Sequence, residues 1–191
     1  DKTETQMSIY AATKKSNESM AHAYSNIWKF PITMVRFFTV YGPWGRPDMA
    51  LFKFTKGILN NKKIDIYNNG KMYRDFTYID DIVSGINLLI KKVPNTKQLG
   101  KYKNDSLSPI APFRILNIGN TKKVCLLDFI KEIEKVLGKK AKRNYMPLQK
   151  GDVKQTLSNT NLLKKITGYN PKTNFKTGIR KFLDWYLNYY N

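Results

Sequence analysis

Tyr10-Ala-Ala-Thr-Lys14 is the stretch of the 191-residue sequence around which the other elements can be ordered. In a helix, residues four positions apart lie on the same face, so Lys14 is expected beside Tyr10. A cation close to a phenol favours the phenolate, which can accept a proton from a hydroxyl group. The spacing therefore predicts a proton-transfer pair. Tyr-x-x-x-Lys is a weak motif by itself, and an exposed helical turn is the alternative.

The residues after Lys14 predict a helix followed by a buried strand. Apolar side chains at helical spacing predict a helix over about residues 10–29, which ends before Pro31. Residues 32–38 are rich in β-branched and aromatic side chains and predict a buried strand. A helix followed by a buried strand is typical of parallel α/β proteins.

Periodicity and breaker residues divide the rest of the chain into short elements. Asp80 or Asp81 is expected to cap a helix that continues to Ile90. Residues 93–112 are mostly polar, contain three prolines and predict an exposed loop. The other predicted helices are 50–60, 126–137 (closed by Gly138), 161–166 and 175–190, and the other predicted strands are 64–67, 72–79, 113–118 and 142–146.

A cluster of glycine and proline from Gly42 to Pro47 predicts a loop over residues 39–49. This loop follows the carboxyl end of the predicted strand 32–38. Ligands bind at that edge of parallel α/β sheets, so Thr39, Tyr41 and Arg46 are candidates for substrate contact. For Tyr41 a rigid loop packed on itself is the preferred interpretation.

The composition restricts the class of partner. The chain has 34 Lys and Arg against 14 Asp and Glu, a formal charge of +20, which raises nucleic acid as a partner. The lysines are spread over the whole chain, and no RNA-binding or zinc-finger motif accompanies them. We therefore do not expect nucleic acid as a partner, whereas an anionic small substrate suits the charge.

The sequence also indicates where the protein is located and whether the chain is part of a longer protein. It contains no apolar run of about 18 residues and no leader pattern, so no membrane partner is expected. Cys125 is the single cysteine, which makes a cytoplasmic protein the default, and no His/Cys/acid cluster predicts a metal site. The chain begins at Asp1 and lacks a glycine-rich nucleotide-binding loop. We therefore expect the C-terminal part of a longer protein.

Several segments together resemble a known family. They are residues 10–18 (YAATKKSNE), 36–48 (RFFTVYGPWGRPD), 74–81 (RDFTYIDD), 117–120 (NIGN) and 151–153 (GDV). In this order and spacing they resemble the extended short-chain dehydrogenase/reductases, which include the NAD-dependent epimerases and dehydratases. Within this family the chain is most similar to the UDP-glucuronate 4-epimerases, and the resemblance runs from Tyr10 almost to the C-terminus.

The resemblance implies a Rossmann-like α/β fold of which the chain is the C-terminal part. Residues 1–48 would be the remnant of the NAD-binding domain. Residues 49–191 would mainly form the UDP-sugar-binding domain, with about 74–92 and 113–120 interleaving with the Rossmann part. Members of the family dimerise through a helical bundle that includes the Tyr-Lys helix, so a homodimer of the full-length protein and an exposed apolar face on helix 10–29 are expected.

The resemblance also implies catalytic roles. Tyr10 would remove the proton of the sugar 4-hydroxyl, and Lys14 would assist it; both would contact NAD, which takes a hydride from C4 and returns it to the other face. Thr39 and Arg46 would hold the uronate carboxylate so that the 4-keto sugar does not lose carbon dioxide. A salt bridge that stabilises the loop is the alternative for Arg46.

The nucleotide half of the substrate has its own implied residues. Arg74 matches the diphosphate-binding arginine, Tyr67 the position that packs on uracil, and Asp152 the acid that receives ribose hydroxyls. Gln149 stands where many relatives have a second arginine. For Tyr67 a core aromatic, and for Asp152 a carboxylate that caps a loop, stay open.

The resemblance predicts a UDP-glucuronate 4-epimerase, and other functions stay open beside it. Within the class, a UDP-glucuronate decarboxylase or a nucleotide-sugar 4,6-dehydratase is the alternative. From another class, an inactive fragment that binds UDP or other anions is the alternative, because the glycine-rich NAD loop is absent from these residues.

Overall fold

The computed structural model describes residues 5–190, which form two compact units. The first unit combines the described part of Asp1–Phe37 with Ser84–Ile118 and Asn159–Asn170. The second combines Phe38–Val83 and Gly119–Ser158 with the described part of Pro171–Asn191. Residues 1–4 of the predicted domain 1–48 and residue 191 of the predicted domain 49–191 lie outside the described residues. The assignment of these domains to cofactor and substrate stays a prediction.

Single helices alternate with groups of one to three strands along most of the chain. The strands are β1 Ile32–Phe37, β2 Thr39–Tyr41, β3 Lys63–Ile66, β4 Tyr73–Arg74, β5 Phe76–Tyr78, β6 Phe113–Ile118, β7 Val124–Cys125 and β8 Lys142–Tyr145. The helices are α1 Ile9–Trp28, α2 Ala50–Leu59, α3 Ile79–Ile90, α4 Leu126–Leu137, α5 Asn161–Thr167 and α6 Phe175–Tyr190, and short 3-10 helices span Tyr67–Gly70 and Thr96–Gln98.

The first unit is a parallel strand pair with a helix packed on it. β1 and β6 run parallel, with Ile32 opposite Phe113, and α1 packs against both strands. The Ser8 side chain caps α1 by accepting a hydrogen bond from the Ala11 N–H at 3.2 Å. Lys29 ends the helix in the left-handed region. The helix and strand predicted from residues 10–38 are therefore confirmed, but the prediction that the strand is buried is wrong: β1 is half-buried, and its last residue, Phe37, is exposed.

The segment between α3 and β6 is less exposed than the sequence predicts. The Arg114 guanidinium is buried in β6 and forms an ion pair with Asp105, with Nε 3.0 Å from Oδ1. Ser106 Oγ accepts a hydrogen bond from the Ile115 N–H at 3.1 Å, and Leu107 is buried. The prediction of an exposed loop over 93–112 is wrong for this part, because contacts with β6 hold it against the strand.

The second unit has short parallel strand pairs and an aromatic core. β2 pairs with β5 and β3 with β8, both in parallel, and β4 pairs with β7 in antiparallel fashion. The Phe76 and Phe129 rings stack with centroids 4.1 Å apart, and the Phe52 and Phe182 rings meet edge to face at 4.9 Å. Residues of α2, α4 and α6 surround these rings.

Two sequence predictions in this unit need correction. Residues 39–49 were expected to be loop throughout, whereas Thr39–Tyr41 forms β2. This strand exists because it pairs with β5, which is distant in sequence and gives no local signal. Asp80 or Asp81 was expected to cap the helix, but α3 begins at Ile79 and contains both residues. The Asp81 carboxylate instead accepts hydrogen bonds from the Lys172 and Thr173 N–H groups, both at 3.0 Å. It therefore fixes the segment before α6.

Candidate functional site

Tyr10 and Lys14 lie on the first turns of α1, in the first unit. The helix begins at Ile9 and includes both residues, so their spacing of four positions puts the two side chains on one face. Lys14 Nζ lies 5.4 Å from the Tyr10 ring centroid. The Tyr10 side chain is 69% exposed. The structure thus places an accessible phenol next to an ammonium group, as the spacing predicts, with the cation over the ring face.

Thr39 and Arg46 line the same small cavity of the second unit. Thr39 is half-buried in β2, and Arg46 belongs to the loop that follows the carboxyl end of β2. The cavity has a volume of about 40 Å³, room for two or three water molecules. Its other walls include the rings of Phe52, Phe76 and Phe182. Thr39 and Arg46 therefore line one small cavity whose other walls are largely apolar.

Arg46 forms an ion pair with Asp48 two residues further on. Arg46 Nε donates to Asp48 Oδ1 at 3.0 Å, and Arg46 Nη2 donates to Asp48 Oδ2. These hydrogen bonds to Arg46 hold the pKa of the Asp48 carboxyl below its usual value. The salt bridge that the sequence left open for Arg46 is therefore present.

Arg74 and Asp152 are brought together from distant parts of the sequence. Arg74 Nη2 donates to Asp152 Oδ1 at 2.8 Å, and Arg74 Nη1 donates to the Tyr73 carbonyl oxygen at 3.0 Å. Asp152 also accepts a hydrogen bond from the Val153 N–H at 2.8 Å. The Asp152 N–H donates to the Gln149 carbonyl oxygen and closes the turn there. The guanidinium is thus fixed in direction, with only 16% of its side chain exposed.

Tyr67 is the first residue of a 3-10 helix directly after β3. The Met146 N–H donates to the Ile66 carbonyl oxygen, and the Asn69 N–H donates to the Met146 carbonyl oxygen. These bonds fix the turn in which Tyr67 stands, and its side chain is half-buried. A ring in this position can offer one surface to a ligand and pack with the other.

Asp75 is the important residue that sequence reasoning missed. Its carboxylate is fully buried and accepts the Asn120 N–H at 2.8 Å and the Thr121 and Ser158 N–H groups at 3.0 Å. A carboxylate directly after Arg74 in the RDFTYIDD segment was the available signal. Asp75 holds the segments around residues 120 and 158 beside the strand that carries Arg74.

Comparison with known proteins identifies the family of the chain. Residues 1–103 match the NAD dependent epimerase/dehydratase family. The chain belongs to this family. The membership accounts for the α/β fold.

Two named relatives are similar to almost the whole length of this epimerase/dehydratase chain. Protein CapI of Staphylococcus aureus is 54% identical over 186 residues, which cover 96% of this chain and 55% of the relative. A probable UDP-glucuronate 4-epimerase of Rhizobium meliloti is 47% identical over 189 residues, covering 97% of this chain and 55% of that protein.

A solved structure from the same family is similar to most of this chain. UDP-glucuronic acid 4-epimerase from Bacillus cereus, in complex with UDP-glucuronic acid and NAD, superposes with a TM-score of 0.82 at 32% identity. The match covers 96% of this chain and 54% of that one. The chain thus spans about half the length of the relatives it matches.

Two further features of the epimerase/dehydratase chain concern membranes and metals. Within residues 5–190, no helix combines the length and the apolar character that a membrane crossing requires. The same residues contain no group of three His, Cys, Asp or Glu side chains placed to bind a metal ion.

Proposed function

We propose that the chain is the C-terminal, substrate-binding part of an NAD-dependent UDP-glucuronate 4-epimerase, which converts UDP-glucuronate to UDP-galacturonate. The observation that supports this most is the cavity shared by Thr39 and Arg46. Thr39 carries a hydroxyl group and Arg46 a guanidinium, and both suit a carboxylate, which is the group that distinguishes a uronate from a neutral hexose. A relative solved with UDP-glucuronic acid and NAD adds to this support.

Tyr10 takes the proton of the sugar 4-hydroxyl in this proposal, and later returns it. Its phenol is accessible at the start of α1, and the Lys14 ammonium lies over the same ring, 5.4 Å from the ring centroid. We expect Tyr10→Phe to abolish turnover while leaving the affinity for UDP-glucuronate within about 2-fold, because only the proton-accepting oxygen is lost.

The uronate carboxylate must be held still during the reaction. The 4-keto sugar is a β-keto acid, and it loses carbon dioxide when its carboxylate bond stands perpendicular to the carbonyl plane. A bidentate bond to Arg46 and a hydrogen bond from Thr39 fix the plane of the carboxylate and so protect it. In this role the two residues favour epimerisation over decarboxylation.

The UDP half binds to residues of the same unit. Arg74 has N–H groups besides those bonded to Asp152 and Tyr73, and they suit a diphosphate oxygen. Asp152 accepts from the ribose hydroxyls, and the half-buried Tyr67 ring packs on the uracil. The pair of Arg74 and Asp152 keeps both groups oriented before the substrate arrives.

Tyr10 and Lys14 fit one end of the NAD molecule, where an exposed phenol and ammonium can meet the ribose next to the nicotinamide. NAD, when bound, supplies a hydride acceptor and donor. A glycine-rich loop for its diphosphate does not occur in these residues. We place that loop in a segment joined to this chain in the working protein, and we place the protein in the cytoplasm.

Product analysis tests the epimerase against its alternatives. The longer protein that carries this chain would be given UDP-glucuronate and NAD, and the sugars followed by NMR. The proposal expects UDP-galacturonate with no net formation of NADH. A UDP-pentose would mean a decarboxylase. No conversion by the longer protein would favour an inactive module that binds UDP or other anions.

The working protein is expected to be a homodimer. Tyr24, Ile27 and Trp28 on α1 are more than half exposed, although they are large and apolar. Soluble proteins rarely leave such a patch uncovered, and a second copy of the same helix would cover it.

A further inference from the structure

The ion pair between Arg46 and Asp48 suggests a role for Asp48 that rests on the proposed function. We propose that Asp48 occupies the carboxylate position on Arg46 until the substrate arrives, and that the uronate carboxylate must displace it. Asp48 is then an internal competitor at this position. It keeps the guanidinium neutralised and lowers the affinity for the uronate carboxylate that must displace it.

Asp48 contacts Arg46 in the way that a ligand carboxylate would. Arg46 Nε and Nη2 each donate to a different oxygen of Asp48, so the ion pair is bidentate. A planar carboxylate on a ligand would use the same two donors. The two occupants therefore exclude each other at this edge of Arg46.

The loop does not depend on the ion pair for its shape. The Met49 N–H donates to the Arg46 carbonyl oxygen at 3.1 Å, and Pro47 fixes its own backbone angle between the two charged residues. The Trp44 ring packs against Tyr189 of α6, with centroids 4.9 Å apart. Because backbone and aromatic contacts already hold the loop, Asp48 can leave Arg46 without unfolding it.

The ion pair is exposed to solvent, so a ligand can displace Asp48 from Arg46 at little cost. The side chains of Arg46 and Asp48 are 73% and 54% exposed, and exposed ion pairs contribute little to stability. A uronate carboxylate gains Thr39 as a second contact in the cavity, and the rest of UDP-glucuronate binds elsewhere in the unit. A neutral hexose in the same position has no charge with which to compete, so it leaves the pair closed.

Titration of an Asp48→Asn variant tests this inference. UDP-glucuronate and UDP-glucose would be titrated into the 191-residue chain and the variant, with dissociation constants taken from NMR shifts. We expect the variant to bind UDP-glucuronate about 2- to 5-fold more tightly, because the competitor is gone, and UDP-glucose equally well. Asp128→Asn is the matched control, since Asp128 forms a similar exposed pair with Lys131.

The outcomes separate this inference from the proposed function. The Arg46 Nε–H signal reports the pair directly, and it should move in Asp48→Asn and on addition of UDP-glucuronate to the unmodified chain. Unchanged or weaker UDP-glucuronate binding by Asp48→Asn overturns the inference alone, provided that Arg46→Gln still removes the preference for UDP-glucuronate. If Arg46→Gln has no effect, or neither sugar nucleotide binds, the proposed function fails as well.

Discussion

Glu18 is the carboxylate that joins α1 to the strand beneath it. Arg36 of β1 donates to it through Nε at 2.6 Å and Nη2 at 2.8 Å, and Lys15 through Nζ at 3.1 Å. The bonds from Arg36 hold the pKa of Glu18 below its usual value of 4.5. The folded state therefore binds this proton less readily than the unfolded state does. The resulting stability is present above about pH 4.5 and is lost as the pH falls through the folded pKa.

We expect Glu18→Gln to lower the free energy of unfolding at pH 7 by about 1–3 kcal/mol, because Arg36 then lacks its charged partner. The variant should also lose part of the fall in stability between pH 5 and pH 3 in urea titrations. Asp128→Asn, on an exposed face of α4, is the control and should change neither value. An unchanged pH dependence in Glu18→Gln would show that other carboxylates cause the fall.

Asp75→Asn should destabilise the second unit more than any exposed substitution. An amide has one acceptor oxygen, so either the Asn120 N–H or the N–H groups of Thr121 and Ser158 would lose a buried acceptor. We expect a loss of about 2–4 kcal/mol in the free energy of unfolding, measured by urea titration. A loss below about 0.5 kcal/mol would mean that water replaces the carboxylate at this position.

The sequence predicted well which residues lie together where they are close in the chain. Tyr10 and Lys14 share a face because helical periodicity places them there, and the structure has this arrangement. The bond between Arg74 and Asp152 joins residues 78 positions apart, and no periodicity links them. The hydrogen bonds of Asp75 likewise depend on chain segments that only tertiary packing brings together.

Elements were predicted well where they have a long periodic pattern or clear ends. α4 ends at Gly138 in the left-handed region as expected, and β6 has the predicted bounds. β2 and β7 were missed because strands of two or three residues have no period of their own. The partners of each strand could not be predicted from the sequence either. For example, β3 pairs with β8, although β4 to β7 lie between them in the chain.

Helix α6 offers a test of how tightly the elements of the second unit pack. A Cβ atom added at Gly178 would lie 2.1 Å from Tyr41 Oη on β2, closer than atoms can approach. Gly178→Ala should therefore cost about 1–3 kcal/mol of stability. Tyr41→Phe removes the nearest atom, so the double variant should lose less than the sum of the two single losses in thermal unfolding. Strict additivity would mean that α6 shifts away instead.

The protein as a whole is expected to self-associate through α1. Ile27→Lys places a charge in the exposed apolar patch with Tyr24 and Trp28, and it should weaken the dimer at least 10-fold in sedimentation experiments. The folded state should be unaffected, because Ile27 is already 63% exposed. A concentration-independent monomer before the substitution would contradict the proposed dimer.

Binding of UDP-glucuronate to the 191-residue chain is the most direct test of the proposed substrate site. Ligand-observed NMR or calorimetry would compare the unmodified chain with Arg74→Ala, and with Lys131→Ala as a control that removes an exposed cation of the same unit. We predict saturable binding that Arg74→Ala weakens about 10- to 100-fold and Lys131→Ala leaves unchanged. Equal binding by all three proteins, or no binding by the unmodified chain, would contradict the proposed substrate site.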